Sequence, residues 1–346
     1  MNKEDLEIKK ILKRGTVIPA HPLALDKNRR FDETGQRRLT MYYISAGAGG
    51  LSIGVHTTQF EIHNSKFNLY KPVLRVSSET VKEIKKPVIM IAGIYGETKQ
   101  AIKEAEIAKS FGYHAGLLIL TQLKNQPTEK IIKHIKEISK IIDIFGFYLQ
   151  PSIGGKILDF KFWCKFLEIE NILGIKIAPF NRYWTLDVVK AVIETGREND
   201  VALYTGNDDN IIFDLITPFY YKGRKVRIVG GLLGHWSFWT KKAVELLKYI
   251  HSIIENKYKI PYELMKTSVE ITDCNSAIFD SKNNFDGCIP GINEVLRRSG
   301  LLKERKCLNP NSDLSTGQKE EIDRIYKLYP HLRDDEFVKM NFEKWC

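Results

Sequence analysis

The most unusual chemical feature of the sequence is a lysine inside an otherwise apolar run. Lys176 sits in Asn171-Ile172-Leu173-Gly174-Ile175-Lys176-Ile177-Ala178-Pro179. A lysine near the end of a buried strand has two fates. Desolvation lowers its pKa and leaves neutral amine, which can form a Schiff base with a ketone. Alternatively, a position just past the strand lets the stem snorkel to solvent. One apolar run earlier stands Tyr148, in Phe145-Gly146-Phe147-Tyr148-Leu149-Gln150-Pro151. Neighbouring strands lie about 4.8 Å apart, so on adjacent strands the two tips would meet and the phenol could relay protons. Otherwise Tyr148 is a core aromatic with a locally satisfied hydroxyl. The third feature is Gly54-Val55-His56-Thr57-Thr58-Gln59-Phe60-Glu61, where successive N–H groups and the Thr57 and Thr58 hydroxyls make an anion cradle suited to a carboxylate. His56, Glu61 and His63 lack the spacing of a zinc motif, so this segment reads as a hydrogen-bonded loop with no metal.

Short apolar runs must carry these residues, and they recur at 16–25, 50–55, 87–93, 115–120, 143–149, 172–177, 201–204 and 226–230. Between them lie amphipathic segments at 70–84, 98–111, 128–142, 159–168, 185–195 and 209–216, with apolar residues at three- and four-residue steps. Eight strands alternating with helices in about 240 residues is the arithmetic of an α/β (β/α)8 TIM barrel. A doubly wound sheet would show a glycine-rich phosphate turn after its first strand, and the first run passes instead through His21-Pro22 into a polar loop at 26–30. Beyond Trp239 the pattern turns wholly helical, at 241–256, 262–272, 291–298 and 317–328, with a polar loop at 275–287. The expected organisation is a barrel over 1–240 carrying the active site and a C-terminal helical region over 241–346.

Composition narrows the function classes. The chain has 346 residues, 43% of them hydrophobic and 27% charged, with a formal net charge of +11. That excludes a disordered or collagen-like chain. No apolar run approaches the roughly 20 residues a bilayer requires. The first fifteen residues lack the apolar centre of a signal peptide, so the expected location is cytoplasmic. The basic residues are interleaved with acidic ones, as in Lys82-Glu83-Ile84-Lys85-Lys86, which reads as solvated helix faces rather than a nucleic-acid stripe. The five cysteines, Cys164, Cys274, Cys288, Cys307 and Cys346, include no close pair and are expected to be reduced thiols.

In chain order, the Thr57-Thr58 turn after the second run, Tyr148 with Pro151 on the fifth, Gly174-Ile175-Lys176 on the sixth, Gly206-Asn207-Asp208-Asp209 after the seventh, and Ile289-Pro290-Gly291 opening a late helix resemble the dihydrodipicolinate synthase / N-acetylneuraminate lyase family of class I Schiff-base pyruvate aldolases. The resemblance runs from about residue 15 to about residue 332. It implies a barrel, commonly a homotetramer or dimer. It implies that Lys176 forms the imine with pyruvate, Tyr148 relays protons, and Thr57 and Thr58 hold the carboxylate. It also implies that a main-chain carbonyl after strand eight, around Ile228 to Gly230, faces the lysine, and that no cofactor is needed because the protonated imine is the electron sink.

Departures from the pattern touch the partner-binding half. Gln59 replaces a glycine of the family's Gly-Thr-Thr-Gly-Glu turn and implies a reshaped pocket wall. Lys124 stands where the synthases have a relay tyrosine, either binding an acidic group of the partner or solvated. Ile153 stands where they have an arginine for the aldehyde's carboxylate, a contact worth about 1.5–3 kcal/mol. An authentic dihydrodipicolinate synthase is therefore not expected. The bulk of Phe60, Tyr95, Trp184, His235, Trp236 and Trp239 either lines a site for a larger, more apolar aldehyde or packs against the late helices. The leading expectation is an aldolase or lyase joining or cleaving pyruvate, or another 2-oxo acid, and an aldehyde. The alternatives are an imine-dependent hydratase or dehydratase on a sugar acid, and a barrel that binds a small carboxylate without turnover.

Overall fold

The computed structural model describes residues 3–84 and 86–345, so Met1, Asn2, Lys85 and Cys346 lie outside the described residues. Seven strands follow the expected runs, β1 Val17–Pro19, β2 Gly50–Ile53, β3 Ile89–Tyr95, β4 Ala115–Ile119, β5 Asp143–Leu149, β6 Ile172–Ala178 and β7 Ala202–Thr205. A short antiparallel hairpin, β8 Phe219–Tyr221 and β9 Arg224–Val226, precedes the eighth barrel strand, β10 Ile228–Leu233. The barrel strands are all parallel in the order β1-β10-β7-β6-β5-β4-β3-β2. An isolated parallel bridge between Ala20 and Ser52 brings the two ends together, giving the eight-stranded TIM barrel.

Helices α1 Lys3–Arg14, α2 Glu33–Ala46, α3 Tyr70–Lys82, α4 Thr98–Ser110, α5 Thr128–Ser139, α6 Phe160–Leu167, α7 Arg182–Glu194, α8 Ile211–Ile216 and α9 Thr240–Glu255 precede the late helices. These are α10 Tyr262–Ile278, α11 Cys288–Arg298, α12 Gln318–Leu328 and α13 Asp335–Asn341. Two of the nine were not legible as helices in the sequence. Among the described side chains of α1, Ile8 and Leu12 are the buried ones, too few to set a period, and they plug the base of the barrel, where Tyr204 Oη donates to Leu12 O at 3.0 Å. Helix α2 is buried along most of its length and so lacks a polar stripe; Asp32 caps it by accepting from Gly35 N.

The strands alternate between two cores, as a period-2 pleat dictates. On β5, Phe145, Phe147 and Leu149 join the cluster inside the barrel, whereas Ile144 and Tyr148 join the layer between strands and helices. On β6, Ile175 and Ile177 face the helices and Ala178 faces inward. Lys176 shares the inward parity with Ala178.

Helix α9, which the sequence assigns to the C-terminal region, packs on α2 and β1 as the eighth barrel helix. The later helices share the barrel's outer core, which runs unbroken from Val17 to Trp345. Asp334 ties them in. Its carboxylate accepts from Tyr42 Oη at 2.7 Å and from the N–H groups of Lys241 and Lys242 that open α9, and burial raises its pKa to about 6. Helix α10 extends to Ile278, into the segment read as a loop. Cys164, Cys274, Cys288 and Cys307 are free thiols. Among the described residues no helix is long and apolar enough to cross a membrane.

Candidate active site

The inward residues at the carboxyl ends of the strands enclose a small cavity of about 60 Å³. Lys176 contributes its floor, with Phe147 and Leu149 from β5, Ala178 from β6, His56 and Thr57 from the turn after β2, and Gly206 and Asp208 from the turn after β7. Phe279, Phe285, Cys288 and Ile292 roof it from the end of α10, the connecting turn and the start of α11. A larger hollow of about 1100 Å³ opens at the opposite end, beside α1 and Asp143. That is the face where barrels of this type carry stability rather than chemistry.

Lys176 is only 8% exposed, and Nζ lies 4.5 Å from the centroid of the Phe147 ring. Burial pulls its pKa down to about 8, against an opposing push from the Asp208 carboxylate. Asp208 is pushed the other way, up to about 7, chiefly by burial. Its Oδ1 accepts from His235 N at 2.9 Å. The lysine has room because residue 206 is glycine. A β-carbon there would fall 2.6 Å from Lys176 Cε and 2.7 Å from Ala178 Cβ.

A second layer fixes the turn that carries Asp208. The fully buried Asp214 accepts from Thr205 Oγ1 at 2.6 Å and Asn207 Nδ2 at 2.9 Å, and pairs with Arg182. Asn207 Oδ1 in turn accepts from the N–H of Phe180, held at φ +52° in the cavity wall. On the other side, Thr58 Oγ1 accepts from Gly54 N at 2.9 Å and donates to His21 O at 2.6 Å. His63 spans Gly54 O (2.8 Å) and Glu104 (3.0 Å). It braces the same turn and takes no part in a metal cluster; among the described residues no three such side chains gather as ligands.

The residues singled out in the sequence fare differently. Lys176 and Thr57 line the cavity. Tyr148 does not. The register pairs Phe147 with Lys176 and Tyr148 with Ile177, so the phenol points into the helix layer. There it stacks on Trp184 and packs at a tilt against Trp163, and its oxygen accepts from Leu158 N at 3.1 Å. Thr58 is buried in the turn as a brace. Thr57 Oγ1 donates to Ala20 O at 2.7 Å, so both hydroxyl protons are committed to carbonyls. The open donors of the cradle are the N–H groups of His56 and Thr57, which meet no acceptor among the described residues. Ile228 lies at the start of β10 in the outer core, and it is Gly234, past the end of that strand, that reaches the cavity. Lys124 is exposed on the loop after β4, away from the cavity.

Gln59 does not form the pocket wall either. Held at φ +70°, its side chain runs to the C-terminal segment, where Oε1 accepts from Leu308 N at 2.6 Å. Of the aromatic residues expected near the mouth, Phe60 stacks on Tyr95, and His235 and Trp239 pack on Phe238. None of them lines the cavity; its aromatic lining is Phe147, Phe180, Phe279 and Phe285. His56 and the roof residues join the cavity without having been expected from the sequence. A histidine beside the Thr-Thr pair was a usable signal, but nothing local tells that residues 279–292 fold back over the barrel.

Comparison with known proteins agrees with this architecture. The sequence profile of the dihydrodipicolinate synthetase family matches residues 13–217. A probable 5-dehydro-4-deoxyglucarate dehydratase of Acinetobacter baumannii (strain AB307-0294) is 27% identical over 192 residues, 55% of this chain and 59% of the relative. A 4-hydroxy-tetrahydrodipicolinate synthase of Clostridium tetani is 31% identical over 137 residues, 38% of this chain and 45% of the relative. The matched stretch thus spans about half the length of these curated relatives. Whole-fold likeness extends further. The chloride-inhibited dihydrodipicolinate synthase of Acinetobacter baumannii complexed with pyruvate superposes with TM-score 0.73 at 18% identity, over 90% of this chain and 98% of that one. The N-acetylneuraminate lyase of Fusobacterium nucleatum gives 0.71 at 16% identity, over 91% and 98%. With its profile match covering more than half of the sequence and its barrel shared almost end to end with these structures, the chain belongs to the dihydrodipicolinate synthetase family.

Proposed function

We propose that the protein is a class I lyase that makes or breaks a bond of a 2-oxo acid through an imine on Lys176. The observation that carries this reading is the buried amine of Lys176 on the inner face of the barrel, lining a roofed cavity beside Asp208. A desolvated amine is partly neutral near pH 7 and attacks a ketone carbon. The iminium then withdraws electrons from the adjacent carbon, so the group supplied elsewhere by a cofactor is formed from substrate and protein. The carboxylate of the 2-oxo acid would be met by the open N–H groups of His56 and Thr57.

The partner half of the cavity supports an aldehyde without a second carboxylate. Ile153 occupies the wall where the synthases of this family are expected to carry an arginine, and the roof is Phe279, Phe285 and Ile292. An uncompensated carboxylate against such a surface would be costly to desolvate. A dehydratase acting through the same imine is the second reading, favoured by the dehydratase named among the relatives. Steady-state assays of a panel of pyruvate aldol adducts and 3-deoxy-2-oxo sugar acids test both. Pyruvate release abolished by Lys176→Ala supports the lyase, and water loss with the carbon chain intact supports the dehydratase. Turnover of neither class by the folded protein would refute the enzymatic reading.

A further inference from the structure

The cavity contains a titratable side chain that the reading above uses only through its backbone. His56 lies in the turn after β2 and lines the same cavity as Lys176 and Asp208. Neither ring nitrogen has a hydrogen-bond partner among the described residues, unlike His21, His63 and His235, whose rings are all engaged. Its ring packs on Phe60 (centroids 5.6 Å apart), and Phe60 stacks on Tyr95 (5.8 Å). Behind it, the Thr58, His63 and Glu104 bonds hold the backbone of the turn. A histidine held in this turn beside the cavity, with both ring nitrogens unpartnered among the described residues, is chemically able to exchange a proton with a bound molecule.

The other candidates for that task are engaged or turned away. The residue of β5 that faces Lys176 is Phe147, which has no exchangeable proton, and the Tyr148 phenol is in the helix layer. The Thr57 hydroxyl proton is given to Ala20 O. The Cys288 thiol is pushed far up by burial and by Asp208. Asp208 is held by His235 N and favours the charged form of the lysine.

Resting on the assignment of Lys176 as the imine lysine, we propose that His56 is the proton-transfer residue of this site, taking a proton from C3 of the bound iminium to give the enamine and returning it in the reverse step. In the forward step the C3–H bond breaks and its proton goes to a ring nitrogen of His56, giving imidazolium. The bonding pair becomes the C2=C3 bond, and the C=N π pair returns to nitrogen and neutralises the iminium. The reverse step protonates C3 and frees the imidazole. The titratable groups that line the cavity with it are Lys176, Asp208 and Cys288, and burial with the lysine's charge keeps it neutral, with its pKa lowered to about 4. A ring nitrogen therefore has a free lone pair at neutral pH. The incoming carboxylate adds the negative charge that favours the imidazolium.

Exchange of the pyruvate methyl protons for deuterium, followed by NMR, reports this step separately from imine formation, which borohydride trapping reports. Wild-type protein is expected to show both. In His56→Phe and His56→Gln, trapping on Lys176 should persist, which also certifies the fold, while exchange falls at least about 100-fold, the scale of general acid–base catalysis. In His56→Gly, added imidazole should restore exchange. Trapping with undiminished exchange in the His56 variants overturns the proposal and leaves Lys176 standing. Exchange lost in Asp208→Asn but kept in the His56 variants assigns the step to Asp208 and equally overturns it. Wild-type protein with no trapped adduct removes the Lys176 assignment and this one with it.

Discussion

The titration of Lys176 follows directly from its burial. An amine at the usual 10.5 has a neutral fraction of about 0.03% at pH 7, whereas one brought to about 8 has about 9%, a gain of roughly 300-fold in the form that attacks carbonyl carbon. The lowering comes from burial and is partly offset by Asp208. Replacing Asp208 with Asn removes the offset, so the midpoint should fall further and the neutral fraction at pH 7 rise. The sign for stability is opposite to that of a salt-bridged lysine. Between about 8 and 10.5 the unfolded chain binds a proton that the folded chain does not, so this group adds stability as pH rises through that window. The assay is NMR of ε-carbon-labelled lysine from pH 6 to 11, with the Lys176 signal assigned by its loss in Lys176→Arg. A midpoint near 10.5, or an upward shift in Asp208→Asn, would refute the reasoning.

Three further substitutions test the packing around the site. Gly206→Ala places a methyl against Lys176 Cε and Ala178 Cβ, so trapping by 2-oxo acids should collapse while unfolding in urea shows a loss of only about 1–3 kcal/mol. Tyr148→Phe should leave turnover unchanged, because the phenol's task is to accept from Leu158 N; stranding that buried donor costs about 1–3 kcal/mol in equilibrium unfolding. Turnover lost with stability intact would instead restore Tyr148 to the catalytic set. Gln59→Ala removes the acceptor of the Leu308 amide, and hydrogen exchange should show protection at Leu308 falling by about tenfold, the equivalent of one ordinary hydrogen bond.

What was legible in the sequence was the periodicity and what it carried. Alternation of apolar runs and amphipathic segments is a local property, so the barrel and seven of its eight outer helices could be read from it. Lys176 was legible because a charge within an apolar strand stands out against its neighbours. Tyr148 lies outside the cavity because its parity differs from that of Phe147, although its spacing from Pro151 fits the family pattern. Counting two residues at a time from Phe145 puts Phe147 inside and Tyr148 outside, and the pairing of Phe147 with Lys176 confirms the count. Lys124 and Ile228 stand away from the cavity for a related reason, since position in a chain does not say which end of a strand or which side of a loop faces it. The roof residues Phe279, Phe285, Cys288 and Ile292 meet Lys176 only through tertiary folding across more than a hundred residues, and no local pattern encodes that meeting. Gln59 illustrates the converse. A non-glycine at φ +70° is a conformational cost that becomes intelligible only once its bond to Leu308 is visible.

The central claim is that Lys176 forms an imine with a 2-oxo acid. The direct measurement is borohydride reduction of the protein in the presence of pyruvate, followed by intact mass and peptide mapping. The account predicts one stable adduct per chain, on the peptide containing Lys176 and absent in Lys176→Ala. A folded protein that gives no adduct with pyruvate or other 2-oxo acids, or an adduct on a different lysine, would contradict it.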